Sequence, residues 1–132
     1  MIFEKEKQTH LEETEKYTSY LYDGKYIVIF WKEGVDIEKE DAHQAMDQGE
    51  SLAQDGVKPT FVELSLIRSM PNEAREVFQT RNVNTSSALA LVVASTLSRV
   101  IGNIFISMND SGIPVKLFNS QNLAMEWLRK YD

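Results

Sequence analysis

The chain has no cysteine in its 132 residues, and only two histidines, three prolines and six glycines. Without thiols it can form no disulfide, zinc–thiolate site, iron–sulfur cluster or cysteine nucleophile, and a reducing compartment suits it. Positive charge is also scarce, with 14 Lys and Arg against 20 Asp and Glu and a net charge of −6. An acidic chain with no basic run is poorly matched to a phosphate backbone or an anionic membrane surface, so no nucleic-acid partner is expected. No apolar window reaches the length of a bilayer span. Residues 1–16 are rich in Glu and Lys and lack the apolar stretch of a signal peptide, so a cytoplasmic protein is expected. There is no glycine-rich phosphate loop, nucleophile elbow or metalloprotease helix. The expectation is therefore no catalytic residue, no cofactor and no metal, with carboxylate chemistry the remaining enzymatic route.

What the sequence does contain is an ordinary globular balance, 42% hydrophobic and 26% charged, at a length that fits one domain over residues 1–132. Residues 88–94 are a charge-free apolar run with β-branched residues near the end, which reads as a strand buried on both faces. Behind it Leu97, Val100, Ile101, Ile104, Phe105 and Met108 recur at helical spacing, so this strand feeds an amphipathic helix. Ile106 falls outside that stripe and is a candidate for self-association if it projects outward.

Upstream, residues 1–12 are mostly polar and read as a flexible or arm-like extension; in the alternative, Ile2 and Phe3 anchor an added strand or an exchanged arm. Residues 13–22 are rich in Thr and Tyr, Asp23-Gly24 supplies two left-handed turn positions, and residues 26–31 return as an apolar strand. The first, more polar strand of this hairpin is expected at the sheet edge. Its aromatic group, Tyr17, Tyr20, Tyr22, Tyr26 and Trp31, reads as cross-strand packing. Asp36 is placed to cap a helix running to about residue 55, with Ala42, Ala45, Met46, Gly49, Leu52 and Ala53 on its inner face. A strand over 60–64, a loop over 65–71 and a short helix over 72–81 with Ala74, Val77 and Phe78 inward come next. After the buried strand and its helix come a turn over 109–112 and a strand over 114–118. Ser120 then caps a last helix with Leu123, Ala124, Trp127, Leu128 and Tyr131 inward, Trp127 and Leu128 acting as anchors. The order predicts an α/β domain: an N-terminal β-hairpin followed by repeated β-α units, giving a mixed, mostly parallel five-stranded sheet covered by four helices.

Two clusters could carry chemistry. Ser95, Thr96, Ser98 and Arg99 sit where a helix begins beyond a parallel strand, a place that can hold an anion or simply cap the helix. Glu40, His43 and Asp47 share one side of a helix, but Lys39 would repel a bound cation there, and the pattern reads as a solvated face. His10 reads as exposed.

With this order, the sequence resembles the STAS superfamily, and more closely its SpoIIAA-like, CRAL-TRIO-like bacterial branch. The resemblance is carried by Asp23-Gly24 with the strand after it, by residues 97–103, and by Leu117-Phe118 leading to residues 124–128. It implies the SpoIIAA-like fold and a non-enzymatic interaction or regulatory domain, a homo-oligomer or a binder of another cytoplasmic protein. The CRAL-TRIO side of the likeness implies a small apolar or lipid-like ligand between helices and sheet. In the signalling members a strand ending in Asp-Leu-Ser leads to a loop and a helix bearing the phosphorylated residue. Here Glu63-Leu64-Ser65 resembles the strand end, and Asn72, which has no hydroxyl, stands at the phosphoacceptor position, with Ser69 nearby in the loop. The candidate interaction loop and helix start is thus Ser65, Arg68, Ser69 and Asn72.

Overall fold

Asp23 and Gly24 both adopt left-handed backbone, with φ of 54° and 66°. They turn the chain back so that Tyr22 pairs with Tyr26 and Tyr17 with Trp31, joining strands β2 (Tyr17–Tyr22) and β3 (Tyr26–Trp31) in antiparallel register. This hairpin is the origin of the sheet in a computed structural model that describes residues 2–54, 56–81, 85–107 and 112–132, without the side chains of Ile104 and Ser107. From β3 onward each strand is followed by a helix: α1 (Lys39–Ala53), β4 (Lys58–Glu63), α2 (Asn72–Thr80), β5 (Ser86–Val92), α3 (Thr96–Ser107), β6 (Val115–Phe118) and α4 (Gln121–Leu128). The strands β3 to β6 are parallel and lie side by side in chain order. Parallel crossovers are right-handed, so three of them stepping in one direction must put their helices on one face. The packing agrees: Ala42, Ala45, Ala74, Val77 and Ile101 of α1, α2 and α3 share one core with Ile27, Ile29 and Leu91. Ala124, Met125 and Leu128 of α4 share the opposite core with Val28, Phe61, Ala88 and Ala90. β5 lies between β4 and β6 with helices above and below it, as the charge-free run predicts.

The sheet has six strands where the sequence predicts five. The additional one, β1 (Gln8–Glu13), falls largely within the stretch expected to be flexible, and it pairs antiparallel with β2. Its side chains are mostly exposed, so no alternation of apolar and polar residues betrays it, and backbone pairing holds it. The register shifts between Thr9 and Glu12, where His10 takes a φ of 56°. β1, not β2, is therefore the sheet edge, and the bulge and its charged residues suit that place. Ahead of it Phe3 is 1% exposed, within the core on the α4 side.

Several side chains depart from the expected faces. Val100 and Leu123, expected inward, are 49% and 51% exposed, while Met125, not among the expected inner-face residues of α4, is buried. Leu128 anchors α4 at full burial, but Trp127 is only half-buried, between the rings of Phe118 and Tyr131. Ser120 caps α4 as expected, its Oγ accepting the Leu123 N–H at 3.3 Å. Asp36 does not cap α1. Glu38 stands at that position, its N–H donating to Asp41 Oδ2 at 2.8 Å. The expected helix end at Asp55, the turn at 109–111, the Met108 contact and the Ile104 side chain lie outside the described residues.

Candidate functional site

Asp36, released from capping, organises the loop after β4. Residues 34–37 and 66–69 run side by side, bonded through Gly34 N–H to Leu66 C=O (2.8 Å), Arg68 N–H to Val35 C=O (2.8 Å) and Ile37 N–H to Ser69 C=O (2.9 Å). Asp36 and Ser69 form an isolated parallel bridge. Above the backbone, the Asp36 carboxylate receives Arg68 Nε at 2.9 Å, Arg68 Nη2, and the Ser69 hydroxyl at 2.6 Å. The Arg68 guanidinium and then the Ser69 hydroxyl hold the Asp36 carboxyl well below the usual carboxylate range. Lys16 Nζ donates to the Asp36 carbonyl at 2.8 Å and to Asp41 Oδ2 at 2.5 Å, fastening the same loop to α1.

At the other end of the loop, Glu63 Oε1 accepts the Ser65 N–H and Glu63 Oε2 accepts Gln121 Nε2, each at 2.8 Å. Ile67 and Met70 are buried, and between these ties Leu66 points outward at 57% exposure. Pro71, Asn72 and Glu73, the start of α2, are exposed beside it. Of the expected contact residues, Arg68 and Ser69 thus hold the loop together, Ser65 joins it to β4, and Asn72 is exposed at the helix start. Asp36, Glu63 and Leu66 were not among them. The sequence does not single out Leu66, because Ile67 and Met70 share its loop and both turn inward; the carboxylates carry no signal either, since their partners lie 32 and 58 residues away along the chain.

The start of α3 brings Ser95, Thr96, Ser98 and Arg99 together as expected. Ser95 Oγ accepts the Ser98 N–H at 3.0 Å and donates to Ser98 Oγ at 2.9 Å. Ser98 Oγ, fully buried, also accepts the N–H groups of Ala94 and Ser95, both at 3.1 Å. These hydroxyls are spent on one another and on local backbone, the geometry of a helix cap. Thr96 and Arg99 are exposed. On α1, Asp47 and Glu50 receive Arg81 Nη2 at 2.7 and 3.0 Å, and Arg81 Nη1 donates to the His43 carbonyl at 3.1 Å. The acidic side of α1 thus binds an arginine from the end of α2.

A second feature lies beneath the helices. A cavity of about 90 Å³ opens between the sheet and α1, α2 and α3. Ile29, Val62 and Leu91 form its floor, Met46 and Gly49 one wall, Phe78 and Phe105 another, and Met70 of the pinned loop closes one side. Among the described residues that line it, Thr60, Thr85 and Ser86 bring hydroxyls and none is charged. Among the described residues no group of three His, Cys, Asp or Glu could hold a metal ion, and no helix is long and apolar enough to cross a membrane.

No curated protein matches the chain at a significant level. Two solved structures share its fold. An uncharacterized protein of the DUF3478 family from Shewanella loihica PV-4, described as having a SpoIIAA-like fold, superposes with a TM-score of 0.58. It is 14% identical over 89% of this chain and 90% of that one. An anti-sigma factor antagonist from Mycobacterium paratuberculosis gives a TM-score of 0.53 at 13% identity, over 92% of each chain. At such identities the likeness establishes the fold, which is SpoIIAA-like and of STAS type. A family model, the Domain of unknown function DUF7793, matches residues 20–132. The chain belongs to the DUF7793 family.

Proposed function

We propose that this chain is a non-enzymatic regulatory domain of the cytoplasm that works by protein contact, through residues 65–71 and the first turn of α2. Its partner is a second copy of itself or another cytoplasmic protein. One observation carries the reading: the loop is bonded to its neighbours by backbone and carboxylate, yet it turns the apolar side chain of Leu66 into solvent. A rigid loop with a solvent-facing leucine loses little entropy on docking and buries apolar area when it does. The fold shared with an anti-sigma factor antagonist supports a regulatory role. Asn72 at the helix start has no hydroxyl, and Ser69 donates to Asp36, so this reading calls for no phosphorylated residue in the contact. The test is a Leu66→Asp variant in a pull-down and in sedimentation at tens of micromolar. The wild type is expected to form a defined oligomer or retain a partner and the variant to lose it. A wild type that is monomeric and captures nothing contradicts the reading.

The cavity favours a second reading, a module for a small apolar ligand held between helices and sheet. Protein interiors are ordinarily packed to crystal density, and an apolar void of this size is unusual in a small domain. Native mass spectrometry of freshly purified protein is expected to show an adduct. Spectra free of adducts in several preparations contradict this reading.

A further inference from the structure

We propose that the cavity under α1, α2 and α3 takes a small uncharged molecule with an apolar body and one hydrogen-bond donor, such as an alcohol or phenol, whose donor meets the Thr60–Ser86 hydroxyl pair. This specificity rests on the apolar-ligand reading and narrows it through the chemistry of the cavity wall.

Charge is excluded by the lining. Among the described residues none around the cavity is charged, and an ion taken from water into such a site without a partner is strongly penalised. The polar end is the hydroxyl pair. Thr60 Oγ1 and Ser86 Oγ lie 2.6 Å apart, both buried, and Thr60 Oγ1 also donates to the Lys58 carbonyl at 3.2 Å. With Thr60 donating to that carbonyl, Ser86 donates to Thr60, and both protons are used. Among the described residues nothing else donates to Ser86 Oγ, which then keeps lone pairs to offer, since each hydroxyl has one proton and two acceptor positions. The site therefore asks its ligand for a donor, which a carboxylate, ether or ketone lacks.

Room is set by α1. Gly49 is buried in the middle of that helix, and a Cβ built on it meets nothing within 4 Å. The helix gives up a side chain where one would fit, and the space stays open on the cavity side.

The test uses the full chain, with toluene, benzyl alcohol and benzoate as probes of one shape and three polarities. Methionine methyl NMR signals of Met46 and Met70 report occupancy. Toluene and benzyl alcohol are expected to shift both signals, benzyl alcohol binding about 2- to 10-fold more tightly through one added hydrogen bond, and benzoate to shift neither. Ser86→Ala is expected to keep toluene binding and abolish the preference for the alcohol. Gly49→Leu is expected to remove binding of both; should that variant not fold, Gly49→Ala weakens both instead. Benzoate binding as well as benzyl alcohol, or a preference that survives Ser86→Ala, overturns the proposal and leaves the apolar-ligand reading standing. If none of the three probes moves Met46 or Met70, that reading falls and the proposal with it.

Discussion

The two faces of the sheet are filled by different kinds of residue. On the α4 side, Phe3 stands edge-on to Tyr20, Tyr22, Phe30 and Phe61, with ring centroids 4.9 to 5.9 Å apart. Aromatic rings fill that face, and the N-terminal segment supplies its central ring. On the α1–α3 side the helices present Ala42, Ala45, Gly49, Ala53 and Ala74, and two of these small residues, Ala45 and Gly49, line the cavity. Both faces are packed, but the helical one also keeps room beside the pinned loop. Met70 belongs to both the loop and the cavity, so the two candidate sites share a wall.

If that division is right, removing a ring costs more on the filled face. Phe3→Ala is expected to lower unfolding free energy by about 3–5 kcal/mol in a denaturant titration. Phe78→Ala on the cavity face removes a half-buried ring and is expected to cost about 1–2 kcal/mol. Equal losses would break the comparison.

Two glycines sharpen it within the helical face. A Cβ at Gly102 of α3 would lie 2.5 Å from Leu117 Cδ2 and 3.4 Å from Val93 Cγ1. Gly102→Ala is therefore expected to destabilise by about 1–2 kcal/mol, softened only as far as the Leu117 side chain can swing away. Gly49→Ala meets open space and replaces a mid-helix glycine, so it is expected to stabilise by about 0.5–1 kcal/mol in the same titration. A destabilised Gly49→Ala would mean that the cavity wall is already filled.

The smallest effect is on the loop. Asp36 has its folded pKa lowered by Arg68 and Ser69, so its contribution is present above the unfolded carboxylate value of about 3.9 and is lost as pH falls through the folded value. The stability gap between wild type and Asp36→Asn should therefore hold near neutral pH and close in acid. Because Arg68 is largely exposed, the gap is small, and hydrogen exchange at the Ile37 and Arg68 amides reads it better than melting does. Amides unchanged in Asp36→Asn would show that the backbone bonds alone hold the loop.

Local chemistry accounts for what was legible in the sequence. The Asp23-Gly24 turn, the apolar strand after it and the charge-free run at 88–94 each carry their signal within a few residues, and their order sets the fold. β1 was not legible because an exposed edge strand has no buried face to impose a period. Helical spacing points Val100 and Leu123 inward because it identifies a stripe but not which flank the neighbouring elements leave uncovered. Asp36 has the composition of a cap and sits two residues too early; its partners Arg68 and Ser69 come from another β-α unit. The cavity depends on which small residues face which strand, a tertiary fact with no sequence period. The resemblance points to the loop through Ser65, Arg68, Ser69 and Asn72, and it carries no signal for Leu66, the exposed apolar residue there.

The contact surface is tested most directly by hydrogen exchange with mass-spectrometric readout as protein concentration is raised to tens of micromolar, or as a captured partner is added. The account predicts slowed exchange confined to residues 64–73. Protection that develops on β1, α3 or α4 while residues 64–73 stay unchanged would contradict it.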